Sequence, residues 1–163
     1  MKESNKISER IFSIERLESN IKWWRLINKT IGFTNGVFDL LHEGHIKVLS
    51  QAASFTNILI VGINSDSSVK RLKGKERPVN SQQSRALILA SLIMVDAVVI
   101  FEEDTPLELI KKIQPDVLVK GGDYTTETIV GAKEVIAAGG SVEIIPLEPG
   151  FSTTLIIEKL KKI

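Results

Sequence analysis

Cysteine is absent from the 163 residues, which removes disulfides, zinc–thiolate sites and thiol nucleophiles at once. Histidine is nearly absent too: the chain has only His42 and His45. No charge sign dominates, since 21 Lys and Arg face 20 Asp and Glu, so no broad field exists to gather nucleic acid or an anionic membrane. Any anion must be held locally. The longest apolar run, "ALILASLIMV" at 86–95, stops at Asp96 and falls well short of the roughly 18 residues that span a bilayer. The opening "MKESNKISER" lacks the apolar stretch of a secretory signal. These absences lead to the expectation of a cytoplasmic protein whose partners include neither membrane nor nucleic acid.

What remains suits one domain. At this length a chain buries most of its apolar surface without staples, and 43% hydrophobic with 25% charged residues excludes a disordered or fibrous chain. Short β-rich runs recur at 30–34 (TIGFT), 57–63 (NILIVGI), 97–101 (AVVIF), 116–120 (DVLVK) and 141–147 (SVEIIPL). Each is followed by helix-like sequence. The spacing predicts helix starts at "TPLE", with Thr105 capping, Pro106 in the first position and Glu108 returning the bond, and at "NSQQ", with Asn80 and Gln83. Gly139 and Gly140 mark a helix end. Continuous apolar strands separated by helices imply an open α/β fold, a mainly parallel five-stranded sheet covered on both faces. Residues 1–28 have apolar positions at helical intervals and read as an N-terminal helical extension before a domain at 29–163. They would cover that domain or a second subunit.

Ligands in such sheets bind beyond the carboxyl ends of the strands, which directs attention to the residues after each run. Some chemistries drop out. No two glycines lie two apart, so the G-x-G-x-x-G fingerprint is missing, as are the Walker A loop and the G-x-S-x-G elbow. After the first run comes "NGVFDLLHEGHIKVLSQAA", where Asn35 and Gly36 permit a tight turn, Asp39 follows, and Gly44 to Ala53 reads as a helix with Ile46, Leu49 and Ala53 inward. His42 and His45 then stand at the helix entrance, where free amides and the positive dipole end favour an anion. A bound polyphosphate would raise their pKa values. Zinc is not expected, because nothing completes a ligand set.

"HEGH" at 42–45 matches the H-x-G-H signature of the nucleotidyltransferase superfamily typified by cytidylyltransferases, and the chain resembles that family. Its second signature, an I-S-T-T-like run opening the last helix, is matched by Phe151, Ser152, Thr153 and Thr154. Read physically, these hydroxyls and amides cap a helix and form a second anion cradle. "FTNGVFDLLHEGH", "VGINSDSSVKRLKG", "RPVN", "FEEDTPLELI", "PDVLVKGGDY" and "GFSTT" together are similar to the bacterial D-glycero-β-D-manno-heptose 1-phosphate adenylyltransferases, from about residue 11 onward.

That resemblance implies a Rossmann-like fold, ATP and a phosphorylated heptose as substrates, a separate sugar kinase acting beforehand, and a homo-oligomer. It implies nucleotide contacts at Thr34, Asn35, Gly36, Phe38, Gly44, Lys120 and Gly121, with Asp123 accepting from a ribose hydroxyl, and substrate contacts at Asp39, Asn64 and Asp66. Mg²⁺ is expected with ATP, carried mainly by the triphosphate. Two departures stand out. Glu43 occupies a place where the family often has proline or another uncharged residue. Leu155, Ile156 and Ile157 follow the S-T-T run where many members carry Lys or Arg. Another cation must then meet the phosphates, and "VKRLKGKERP" offers Lys70, Arg71, Lys73, Lys75 and Arg77. Lys73, beside Gly74, and Arg85, in the first turn of the next helix, are the expected phosphate contacts, acting with His42 and His45. The same chemistry on CTP and glycerol 3-phosphate, and a nucleotide-binding module without catalysis, remain open.

Overall fold

The structure is a computed structural model, and it describes residues 4–146 together with Thr153, Ile156 and Ile157. A 3₁₀ turn (Ser4–Arg10) leads into β1 (Ile11–Phe12), α1 (Ile14–Leu26), β2 (Ile31–Gly36), α2 (Glu43–Ser54), β3 (Ile58–Asn64), α3 (Asp66–Lys73) and α4 (Gln82–Ala90). Then come β4 (Ala97–Phe101), α5 (Leu107–Ile113), β5 (Val117–Gly121), a second 3₁₀ turn (Thr126–Thr128), α6 (Ala132–Ala137) and β6 (Ser141–Ile145). The strands form one parallel sheet in the order β1-β4-β3-β2-β5-β6. It has six strands where the apolar runs predict five. The extra strand is only two residues long, too short for periodicity to reveal, and it draws the N-terminal segment into the sheet itself.

Alternation along the strands sends side chains into two cores. On one face Phe33, Ile60, Val99 and Leu118 pack with Leu17 and Ile21 of α1 and with α5 and α6. On the other Leu59, Val61, Ile63, Val98 and Val119 pack with Val48, Leu49 and Ala52 of α2 and with Ala86 and Leu89 of α4. Helix α2 therefore turns in Gly44, Val48, Leu49 and Ala52, with Ala53 packed at the edge of the same core; of the expected stripe, Leu49 is buried and Ile46 only half-buried. Helix α1 covers its own domain: Leu17 and Ile21 are buried, Trp24 lies edge-on to Phe12 at 6.2 Å, and Arg25 donates to the carbonyls of Ile113 and Gln114. At the amino ends of the strands, carboxylates receive the free amides: Asp116 takes Ile31 N at 2.7 Å and Asp96 takes Leu59 N at 2.8 Å.

Two helix starts differ from expectation, for reasons that bear on the site. Helix α4 is capped by Ser81, whose hydroxyl accepts from Ser84 N at 3.3 Å, because Asn80 is occupied elsewhere. Helix α5 has Pro106 in the capping place with no side-chain cap bond, so the hydroxyl of Thr105 is not spent on the helix. Gly139, at φ +88° after α6, is the expected left-handed stop.

Strand order reverses beside β2. From β2 the chain steps outward through β3 to β4, then returns to place β5 on the other side. The carboxyl ends of β2 and β5 thus flank the crevice where an open parallel sheet binds ligands.

Candidate active site

A cavity of about 600 Å³ opens there. The end of β2 and its adjoining turn give it Thr34, Asn35, Gly36, Val37, Phe38 and Asp39, and the mouth of α2 gives His42, Gly44 and His45. Asn64, Lys73 and Arg77 come from the β3 side, Lys120 and Gly121 from β5, and Thr153 from the far end of the chain. Thr153 donates its hydroxyl to Leu40 O at 3.3 Å, which holds that helical residue against the H-x-G-H turn. Phe151, Ser152 and Thr154, the rest of the second signature, lie outside the described residues.

The turn after β2 is built under constraint. Phe38 adopts φ +49°, a left-handed conformation that costs a bulky residue of order 1 kcal/mol or more. The constraint has a result: the ring is buried against His45, with centroids 5.1 Å apart. Gly36 is needed for the same packing, since a Cβ there would meet the Phe38 ring at 3.0 Å. His42 then caps α2 through its backbone, without a side-chain cap bond, and stacks on His45 at 3.8 Å.

Packing uses both imidazoles, but hydrogen bonding leaves part of each unused. Both Nδ1 atoms are buried and meet no hydrogen-bond partner among the described residues. Burial, with a further push from His42, holds the His45 pKa down at about 4, and burial also lowers that of His42. The free protein therefore carries two neutral rings at neutral pH. Orphaned polar atoms in a core are costly and rare, so this pair requires an account beyond packing.

Asp39 has the opposite character. It is buried, and its carboxylate accepts from Arg77 Nε at 2.7 Å, Val79 N at 2.8 Å and Asn80 N at 2.9 Å, while Asn80 Nδ2 donates to its carbonyl. Burial alone would raise the Asp39 pKa, but the amides of Asn80 and Val79 and the Arg77 guanidinium outweigh it and leave it lowered. Asp39 is thus a latch tying the 77–80 loop to the end of β2. Among the described residues it makes no hydrogen bond to either histidine.

The surroundings of Arg85 do not suit the phosphate contact expected of it. The side chain is 1% exposed and donates to Asn80 O, Val37 O, Asn64 O and Asp66 Oδ1 at 2.7–3.1 Å. It braces the ends of β2 and β3 from beneath and is not among the residues lining the cavity. Asp66 is its ion-pair partner and also lies off the lining. Asn64 does line it, but its amide is spent on Ser68 Oγ and Glu103 O. Asp123 is exposed and off the lining, whereas Tyr124 beside it lines the cavity. Glu43 is exposed.

The cations on the lining are Lys73, Arg77 and Lys120. Lys120 is largely buried, which lowers its pKa. Its Nζ reaches Asn35 Oδ1 at 3.0 Å and sits 5.9 Å above the Tyr124 ring, with no carboxylate paired to it among the described residues. Arg71, by contrast, is paired with Asp104. Sequence reasoning offered Arg77 among five cations without choosing it, and missed Tyr124 and the Asp104–Thr105–Pro106 rim. The rim was open to discovery at the carboxyl end of the run at 97–101, and the single tyrosine after a Gly-Gly-Asp turn was a usable signal.

Comparison with known proteins agrees with this geometry. The cytidylyltransferase-like family model matches residues 33–159. The chain belongs to the cytidylyltransferase-like family. It is 54% identical over 152 residues to the bifunctional protein HldE of Rhodopseudomonas palustris, covering 93% of this chain and 31% of that protein. It is 52% identical over 149 residues to HldE of Hyphomonas neptunium, covering 91% and 31%. The chain thus spans about a third of the length of these curated relatives. Among solved structures, the lipopolysaccharide core biosynthesis protein of Thermoplasma volcanium superimposes with a TM-score of 0.58 at 26% identity, covering 74% of this chain and 97% of that one. Among the described residues of this family member, no helix is long and apolar enough to cross a membrane.

Proposed function

We propose that the protein joins ATP to D-glycero-β-D-manno-heptose 1-phosphate, giving ADP-heptose and pyrophosphate. The observation that carries the reading is one cavity at the strand-order reversal lined by two stacked imidazoles, Thr153 and three cations. Such a set is suited to a polyanion. The heptose rests on the whole-chain resemblance and on the HldE relatives.

The chemistry asks little of the protein beyond placement and charge. A sugar phosphate is largely dianionic near neutral pH, its second pKa being about 6, so no general base is required. Its oxygen attacks the α-phosphorus of MgATP in line. The α–β bridging bond breaks and pyrophosphate leaves. His42 and His45 meet the oxygens on which charge accumulates, the amides of the first turn of α2 contribute their dipole, and Lys73, Arg77 and Lys120 neutralise the phosphates. The proximity of two anions raises the pKa of both rings above their values in the free protein, so they gain charge where it is wanted. Mg²⁺ arrives on the triphosphate. A sugar kinase supplies the acceptor, and a homo-oligomer, testable by sedimentation, is part of the same proposal.

The test is pyrophosphate release from a panel crossing ATP and CTP with heptose 1-phosphate and glycerol 3-phosphate. Release with ATP and heptose 1-phosphate alone is the expected result. Release with CTP and glycerol 3-phosphate, or tight nucleotide binding with no release, contradicts it.

A further inference from the structure

We propose that Asp104 and Thr105 form the subsite for the acceptor sugar, with Asp104 accepting hydrogen bonds from its hydroxyl groups. The proposal rests on the transferase reading above and adds which wall of the cavity holds which substrate. Two strands, β3 and β2, separate the end of β4 from the end of β5, so the rims after them stand roughly 14 Å apart. The histidine pair lies just past the end of β2, between them. A displacement with two substrates needs one on each side of that pair.

The rims differ in chemistry. The β5 rim presents the Tyr124 ring, Val130 and Gly121 beside the Lys120 ammonium, a surface that fits a nucleoside and its phosphates. The β4 rim presents Asp104 and Thr105. Of the carboxylates on the lining, Asp39 is saturated by three N–H donors. Asp104 is not: Arg71 engages Oδ1 alone, at 2.7–2.8 Å, and Oδ2 has no partner among the described residues. An acceptor-only carboxylate repels phosphate and suits a polyol, whose hydroxyls donate. Thr105 adds a hydroxyl that α5 leaves unused.

This rim is also held in place ahead of any ligand. Glu102 Oε2 accepts from Ser65 Oγ at 2.9 Å and Ser67 Oγ at 2.6 Å, Arg71 donates to Glu102 O at 2.6 Å, and Ser68 donates to Glu103 O at 3.0 Å. A surface loop needs no such bracing for its own sake. A sugar subsite gains from it, because a preorganised acceptor costs less on binding.

The experiment is calorimetric binding of heptose 1-phosphate to the full chain saturated with α,β-methylene-ATP, compared across Asp104→Ala, Asp104→Asn and Thr105→Val. Loss of a charged acceptor should weaken sugar phosphate binding roughly tenfold or more. The Asn variant should fall between, and nucleotide affinity should stay within about twofold. Should Asp104→Ala fail to fold by thermal unfolding, Thr105→Val reads the same wall with a smaller loss. Unchanged sugar phosphate affinity in a folded Asp104→Ala, or a loss falling on the nucleotide instead, overturns the proposal. If the wild type binds glycerol 3-phosphate and not heptose 1-phosphate, and Asp104→Ala weakens that binding, the heptose reading falls while the polyol subsite stands. If it binds neither, the subsite falls.

Discussion

Two polar groups lie at the carboxyl edge of the same sheet and are treated in opposite ways. Arg85 reaches the ends of β2 and β3 and finds an acceptor for each bond it makes, three carbonyls and a carboxylate. His42 and His45 stand where β2 runs into α2, are pressed together at 3.8 Å, and have two buried nitrogens with no partner among the described residues. Position along the chain and residue type marked both as phosphate contacts. Their hydrogen bonding separates them. A fully satisfied buried charge is scaffold, since removing it would strand its partners. A buried polar group without a partner is rare and marks a site where strain, an ordered water or a ligand is at work.

Variants can break that contrast. Arg85→Ala should be the most damaging, destabilising the protein by about 3–5 kcal/mol as Asp66 and three carbonyls lose their donor, read by urea unfolding; near-wild-type stability would show that the bonds are incidental. His45→Ala should do the reverse. It strands no hydrogen-bond partner of its Nδ1 and so costs only the packing against Phe38 and His42, about 1–2 kcal/mol, while single-turnover chemistry slows by ~10² to 10³ with ATP still bound.

The same residue sets a pH dependence. With its folded pKa near 4 and an unfolded value of about 6.5, the unfolded state binds more protons between those limits, so stability falls as pH drops from 6.5 through 4. The His45→Ala unfolding profile should be flatter over that window. Gly121→Ala probes whether the two regions depend on one seating of α2. Its Cβ would come within 2.5 Å of Val48 Cγ2, costing about 1–3 kcal/mol and slowing turnover by displacing the histidines. Arg71→Ala, at a half-exposed pair, should cost at most about 1 kcal/mol in stability.

The α/β class, five strands within a residue or two and the α6 stop were legible in the sequence, because apolar runs and a left-handed glycine are local signals. So was the convergence of the H-x-G-H turn with Thr153, through resemblance. The sixth strand was not, being two residues tied to β4 by pairing alone. Nor were the capping assignments at Asn80 and Thr105: Asn80 went to Asp39, forty-one positions away, and the helix at 107 began one residue late. The same limit explains Arg85. Periodicity places a cation in the first turn of α4 but cannot say that the ends of two strands will claim its guanidinium.

The most direct test is an NMR titration of the two imidazoles in the free protein and in its MgATP complex. Both rings should titrate below 6.5 in the free protein, His45 near 4, and both pKa values should rise when the nucleotide binds. Ordinary values in the free protein, or values that MgATP leaves unmoved, would contradict the claim that these two rings meet a polyphosphate.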